Sequence, residues 1–284
     1  MPLSTLNLSA LMVSFLKSRL FYLLLPTLIV TLAFFLIPMV QLIIVGASGE
    51  EGAMAYLSFL TKPRHFESTV ATVLLSALVT LAAVIISTIS GIFLVRNQFW
   101  GRETLISLLT FPLAFPGVVV GFLIIMLAGR QGLIGGITKS LTGDKVVFAY
   151  SMAGLFLGYL YFSIPRVILT IMATAEKLDR SLEEAAKSLG ASQWRVIRDV
   201  MLPALKPGLI ASGAICFATS MGAFGTAFTL ATNIDVIPMT IYTEFTLNAN
   251  FAGAASLSII LGLITWLALF IARSLSGSTV AASG

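Results

Sequence analysis

Six stretches of the chain carry no Asp, Glu, Lys or Arg: residues 20–49, 68–95, 104–129, 146–165, 207–234 and 245–272. Each is apolar throughout rather than alternating, and each holds the roughly 20 residues a helix needs to cross about 30 Å of hydrocarbon. A membrane barrel would instead show alternating hydropathy over segments of about ten residues. The pattern predicts an all-α transmembrane fold, a six-span helical bundle. It divides the chain into an N-terminal segment over 1–19, a transmembrane domain over 20–274 and a tail over 275–284, with no room for a folded soluble domain. The tail, SLSGSTVAASG from Ser274, reads as disordered.

Composition agrees. Of 284 residues 58% are hydrophobic and 10% charged, with a mean hydropathy of +1.01, against about 25% charged in an ordinary soluble domain. The bilayer is therefore the first partner, and the net charge of +5 matters by its location rather than as a sign of nucleic-acid binding. With six spans both ends share one side. If that side is the cytoplasm it holds twelve Lys and Arg, including Lys17, Arg96, Lys187 and Arg273, and the other side five. The positive-inside rule then places both termini in the cytoplasm. Cys216 is the one cysteine and reads as a packing residue; His65 is the one histidine, has no Cys or His cluster to join, and reads as a solvated residue of an outer loop over 48–67.

The spans carry local detail. The run from Leu20 to Ala47 is about twice a signal-peptide core and reads as an uncleaved first span, kinked or bounded by Pro26 and Pro38. Span two, about 68–94, is rich in small polar residues that bond across helices or back onto their own carbonyls and permit close helix approach. Span three contains Phe111-Pro112-Leu113-Ala114-Phe115-Pro116-Gly117. Pro112 and Pro116 break the backbone ladder where freed groups survive only against protein or a water-lined cavity, so the segment is either a bend bordering a path or a kink set by its neighbours. The loop 130–145 has a short surface or re-entrant helix. Arg166, after span four, is expected to snorkel to the headgroups. Span five, about 207–231, offers Ser220, Phe224 and Thr226, with Thr219 and Thr229, as pathway lining or as small-residue packing. Span six covers about 251–272.

The longest charge-rich stretch is Leu178–Pro203, LDRSLEEAAKSLGASQWRVIRDVMLP. Ser181 and Glu184 have capping-box spacing. Leu178, Leu182, Ala185 and Leu189 share one helical face, leaving Arg180, Glu183, Glu184 and Lys187 to more polar surroundings. Gly190 stands where a helix stops in a left-handed conformation. A second short helix starts after Ser192 and closes at Leu202-Pro203 and Pro207. Such a helix, turn and helix at the membrane surface suits either docking of another protein or a simple connection.

Here the chain resembles the membrane permease subunits of binding-protein-dependent ABC importers. Their loop pattern is Glu-Ala-Ala, three residues, Gly, nine residues, Ile, one residue, Leu-Pro. Glu184-Ala185-Ala186, Gly190 and Leu202-Pro203 match it, with Val200 in place of isoleucine. The resemblance implies a type I importer permease bundle whose loop, over 176–206, inserts into a cytoplasmic ATPase. Glu184 would pair with a basic residue there, Ala185 and Ala186 would keep the helix face thin, Gly190 would set the turn, Val200 would make a small apolar contact, and Leu202 and Pro203 would fix the return to span five. It further implies two ATPase subunits, a second permease chain and a periplasmic substrate-binding protein facing the loops 48–67, 130–145 and 232–250.

The chain has no Gly-x-x-x-x-Gly-Lys-Ser/Thr; it is expected to have no enzymatic activity and no cofactor of its own, with ATP and Mg held by the partner. The location implied is a bacterial inner membrane, and the solutes implied are polyamines or 2-aminoethylphosphonate ahead of ferric iron or sulfate. Two other classes fit an apolar bundle. A secondary carrier or channel normally places an ionisable group within a span, and none of the six runs contains one. A non-transporting scaffold leaves the Pro/Gly break unexplained.

Overall fold

The computed structural model describes residues 19–230 and 234–276. Among them every regular element is helical, and six helical stretches are long and apolar enough to cross a membrane: Tyr22–Gly46, Pro63–Arg96, Gly117–Thr142, Met152–Glu176, Gln193–Met221 and Phe251–Leu275. The six-span expectation holds. Residues 1–18 and 277–284, which carry most of the N-terminal segment and the expected disordered tail, lie outside the described residues.

The first span consists of α1 (Arg19–Thr31), a π-helical turn (Leu32–Leu36) and α2 (Ile37–Gly46). Pro38 follows the π turn because its ring would press on the carbonyl of residue 34, and the wider turn moves that carbonyl aside. This span is peripheral: none of its most apolar stretch is buried. After α3 (Ser58–Thr61), α4 (Pro63–Arg96) runs for 34 residues with proline in its first turn, where no N–H is needed. Arg64, His65 and Glu67 therefore belong to a helix, not to the loop expected over 48–67. His65 is 4% exposed, against the expectation of a solvated histidine. Its Nδ1 lies 3.3 Å from Ser58 Oγ and its Nε2 3.7 Å from Glu244. Asn250 donates to the same carboxylate at 2.8 Å.

Span three is broken. Helix α5 (Arg102–Thr110) passes into a 3₁₀ turn over Phe111–Ala114, and the chain restarts as α6 (Gly117–Ala128) behind Pro116. The expected surface helix follows as α7 (Leu133–Thr142). Helix α8 (Met152–Glu176) is the central span and carries Pro165 inside it. Helices α9 (Arg180–Ser188) and α10 (Gln193–Val196) form the charged stretch. A π turn over Ile197–Met201 then joins α10 without interruption to α11 (Leu202–Met221). The sequence expectation that Leu202, Pro203 and Pro207 close the second helix is thus corrected. Carbonyl 199, which Pro203 would strike, again lies inside a π turn, so the helix passes through.

Span five also breaks, at Gly222-Ala223, before α12 (Phe224–Leu230). The outer segment expected as a loop over 232–250 holds α13 (Ile237–Tyr242) and a π turn (Thr243–Leu247), and α14 (Phe251–Ser276) is span six.

Helices α4, α8 and α11 form the core, with Val79, Ala83, Leu155, Ile171 and Cys216 buried between them. Cys216 is a packing residue, as expected. Gly91 lets α4 and α8 approach: a Cβ there would lie 3.0 Å from Ile171. Span two uses its hydroxyls in both expected ways. Ser87 donates across to Ile164 O at 3.2 Å and Thr88 back to Val84 O at 2.6 Å. Alongside, α6 and α12 run close together, since a Cβ on Gly121 would stand 2.6 Å from Thr229. Gly121→Val is accordingly expected to cost about 1–3 kcal/mol through overpacking and to lower the unfolding temperature in detergent. Gly136→Ala, at a glycine with open space around it, should leave it unchanged; equal melting of the two variants would refute this packing.

Candidate functional site

The charged stretch is held to the bundle at the C-terminal end of α4. A helix ends with four carbonyls lacking intrahelical partners, and basic side chains are favoured there. Arg102 Nε donates to Leu94 O at 2.7 Å and Arg180 Nη2 to Val95 O at 3.4 Å. Arg96 forms an ion pair with Glu183 of α9, their side chains 15% and 13% exposed. Arg96 Nε is buried without a hydrogen-bond partner among the described residues, so the guanidinium depends on Glu183. Glu183 therefore faces protein. The apolar residues of this stretch face outward: Leu182 is 57% exposed and Leu189 89%. Of the four residues expected in the wetter surroundings, Arg180, Glu184 and Lys187 are exposed, and Glu183 alone turns inward.

Helix α9 begins at Asp179, whose carboxylate accepts the Ser181 backbone N–H at 2.9 Å. That bond holds the Asp179 carboxyl below the usual carboxylate range. The capping box expected from Ser181 and Glu184 is not formed, because Ser181 is already the second helical residue. Glu184 is exposed and free for a partner. At the other end Gly190 has φ +81°, Gly190 N–H donates to Lys187 O at 2.9 Å and Ala191 N–H to Ala186 O at 3.0 Å. This paired closure requires the left-handed residue that glycine supplies without strain. Ser192 Oγ then caps α10 by accepting from Arg195 N. A cleft of about 940 Å³ separates α9 and α10 from α4, with Phe93, Glu184 and Trp194 in its walls.

The second feature lies halfway along the bundle, where the two broken spans meet. A Cβ on Gly225 would stand 3.0 Å from Val118 N, so the restart of α6 and that of α12 touch. The freed backbone is satisfied locally. Tyr159 Oη donates to Ala223 O at 2.5 Å and Thr226 Oγ1 to Gly117 O at 2.9 Å. Beside the breaks is a cavity of about 420 Å³ whose walls include Pro112, Gly117, Phe162, Arg166, Thr219 and Thr226. Of the residues expected along a path, Pro112, Thr219 and Thr226 line it. Pro116 caps α6 from an exposed position. Ser220 is fully buried with its hydroxyl unpaired among the described residues, and Phe224 packs against Phe228 and Tyr242.

Residues 83–278 match the family described as the binding-protein-dependent transport system inner membrane component. The chain belongs to this family. Three similar permeases illustrate its range. The molybdenum transport system permease protein ModB of Escherichia coli K12 is 38% identical over 72% of this chain and 92% of its own length. The chloroplastic sulfate permease 2 of Chlamydomonas reinhardtii is 32% identical over 73% of this chain and 58% of its own. The putative 2-aminoethylphosphonate transport system permease protein PhnU of Salmonella typhimurium is 29% identical over 85% and 86%. A bacterial alginate ABC transporter, crystallised with its alginate-bound periplasmic protein, shares the fold at a TM-score of 0.76 and 19% identity, covering 91% of this chain and 93% of that one. The chain is thus a multi-pass inner-membrane permease of the ABC importer kind.

For this permease the sequence pattern locates the loop but misses its anchor. Glu183 adjoins Glu184, and nothing in the local spacing says which carboxylate turns inward. Arg166 reads as a span end because the charge-free run stops before it, whereas α8 continues about ten residues, or 15 Å, beyond it. Removing one partner of the buried pair leaves a stranded charge at a cost of roughly 3 kcal/mol. Glu183→Ala and Arg96→Ala are each expected to speed proteolysis of the 177–192 loop in membrane vesicles, and the double variant to be cut more slowly than either single one. Strict additivity would show that the pair does not hold the loop.

Proposed function

We propose that this permease is the membrane-spanning subunit of an ATP-driven importer, lying with both termini and α9 in the cytoplasm and supplying half of the translocation path. The observation that carries this reading is α9 itself. It is fixed to α4 through Glu183 while Leu182, Leu189 and Glu184 stand uncovered, the arrangement of a part that receives force from outside the chain. Two ATPase subunits holding ATP and Mg would dock there, Glu184 meeting a basic group, with Ala185, Ala186 and Gly190 shaping the contact. Val200, Leu202 and Pro203 sit where α10 passes into α11, so their role would be to carry the motion into the bundle. ATP-driven approach of the two ATPases would tilt this chain against a second permease chain and open the path to a loaded binding protein; hydrolysis would reverse it.

For the solute we infer a small oxyanion. The names of the similar permeases support it: sulfate and 2-aminoethylphosphonate are oxyanions, and molybdenum is dissolved in water as one. Of the two solutes implied by the sequence resemblance this retains 2-aminoethylphosphonate and disfavours the polycationic polyamines.

The docking reading is tested at Gly190. Proline fixes φ near −65° and cannot take the +81° found there. Gly190→Pro is expected to leave the permease in the membrane while the ATPase no longer co-purifies with a tagged chain. Recovery of the ATPase at wild-type yield would overturn the assignment.

A further inference from the structure

The oxyanion reading leaves open whether the permease itself recognises its solute or only passes it. The mid-bundle cavity bears on this. Arg166 carries a guanidinium group, a cation that donates hydrogen bonds and accepts none. It stands on α8 about 15 Å from the cytoplasmic end at Glu176 and about 21 Å from Met152 at the other end. At such a depth a charge is retained only where it meets an opposite charge or a water-lined cavity. No ion pair or side-chain hydrogen bond of Arg166 is formed among the described residues, and the side chain borders the cavity beside the two helix breaks.

The walls decide the sign of what fits. Among the described residues they hold no Asp or Glu; Arg166 is their one charge, and the remaining polar atoms come from Thr219, Thr226 and the backbone of the glycine-rich breaks. Arg166 is exposed on the open side of the cavity, and a cation entering there would meet its positive charge with no carboxylate in the walls to offset it. An anion would meet a planar fork of N–H donors matched to two oxygens of a tetrahedral oxyanion. Gly117 opens α6 on the same wall with no side-chain cap, adding a favourable dipole. One guanidinium without a closed cage of donors binds weakly, as a site on a path must if its occupant is to leave.

We propose that this cavity is a transient oxyanion site inside the permease, with Arg166 as the group that selects negative charge. It rests on the oxyanion reading above and goes beyond it by placing a selectivity element in this chain rather than in the binding protein alone.

The test uses the complete importer, purified through a tag on this chain and reconstituted in proteoliposomes, with uptake of molybdate, sulfate and 2-aminoethylphosphonate and ATP hydrolysis measured together. Loss of a hydrogen-bonded charge predicts that Arg166→Gln lowers uptake per ATP hydrolysed roughly tenfold or more. Complex assembly and the ATPase rate stimulated by loaded binding protein should stay unchanged, and Arg166→Lys should recover most of the transport. Wild-type uptake per ATP in Arg166→Gln overturns the site while leaving the oxyanion reading intact. Loss of assembly or of stimulated hydrolysis in both variants also overturns it, showing that Arg166 pairs with the second permease chain. A wild-type importer that moves none of the three anions overturns the site and the solute reading together.

Discussion

Away from water every backbone N–H and C=O must find a partner inside the protein, and the two broken spans and the end of α4 are arranged around that constraint. The breaks in spans three and five could not stand alone. They occur side by side, so that Tyr159 from α8 covers the carbonyl of Ala223 and Thr226 covers that of Gly117. The end of α4 obeys the same rule with basic side chains, Arg102 and Arg180, taking its last carbonyls. Both regions to which a function is proposed, the cavity and the α9 loop, are therefore built at places where a helix stops and other elements must complete it.

The loop's fixation follows from the second of these places. Once Arg102 and Arg180 gather at α4, Arg96 sits among cations and needs a carboxylate, which Glu183 provides. The pair turns Glu183 inward and leaves Leu182 and Leu189 outside. An apolar edge directed away from the protein is normally unfavourable; on a docking element it is the surface that a partner would cover.

The spans are plainly legible in the sequence, since an apolar run of 20 or more residues without a charge fits a membrane helix and little else. Gly190 is legible too, because a glycine after a short amphipathic helix has one strong conformational reading. Legibility fails where the decisive information is three-dimensional. His65 lies before the second apolar run, yet α4 starts at Pro63 and buries it against Ser58 and Glu244. Arg166 ends a charge-free run, which points to the headgroups, although the helix continues well past it. Pro203 signals a helix end, but the π turn that closes at Met201 absorbs it. In each case a local rule about charge or proline is overridden by structure that the local pattern does not encode.

The uninterrupted helix from Gln193 to Met221 joins these regions directly. It begins beside the docking loop and ends one residue before Gly222 in the cavity wall. At about 1.5 Å per residue it is a rod of roughly 43 Å, without a loop anywhere along it. Between the surface where force would arrive and the wall it would move the chain is helical throughout, so that a displacement at the loop would carry through to the cavity. Opening would then be graded by how far the loops are drawn together, with the glycines beside Met221 bending in place of a separate hinge.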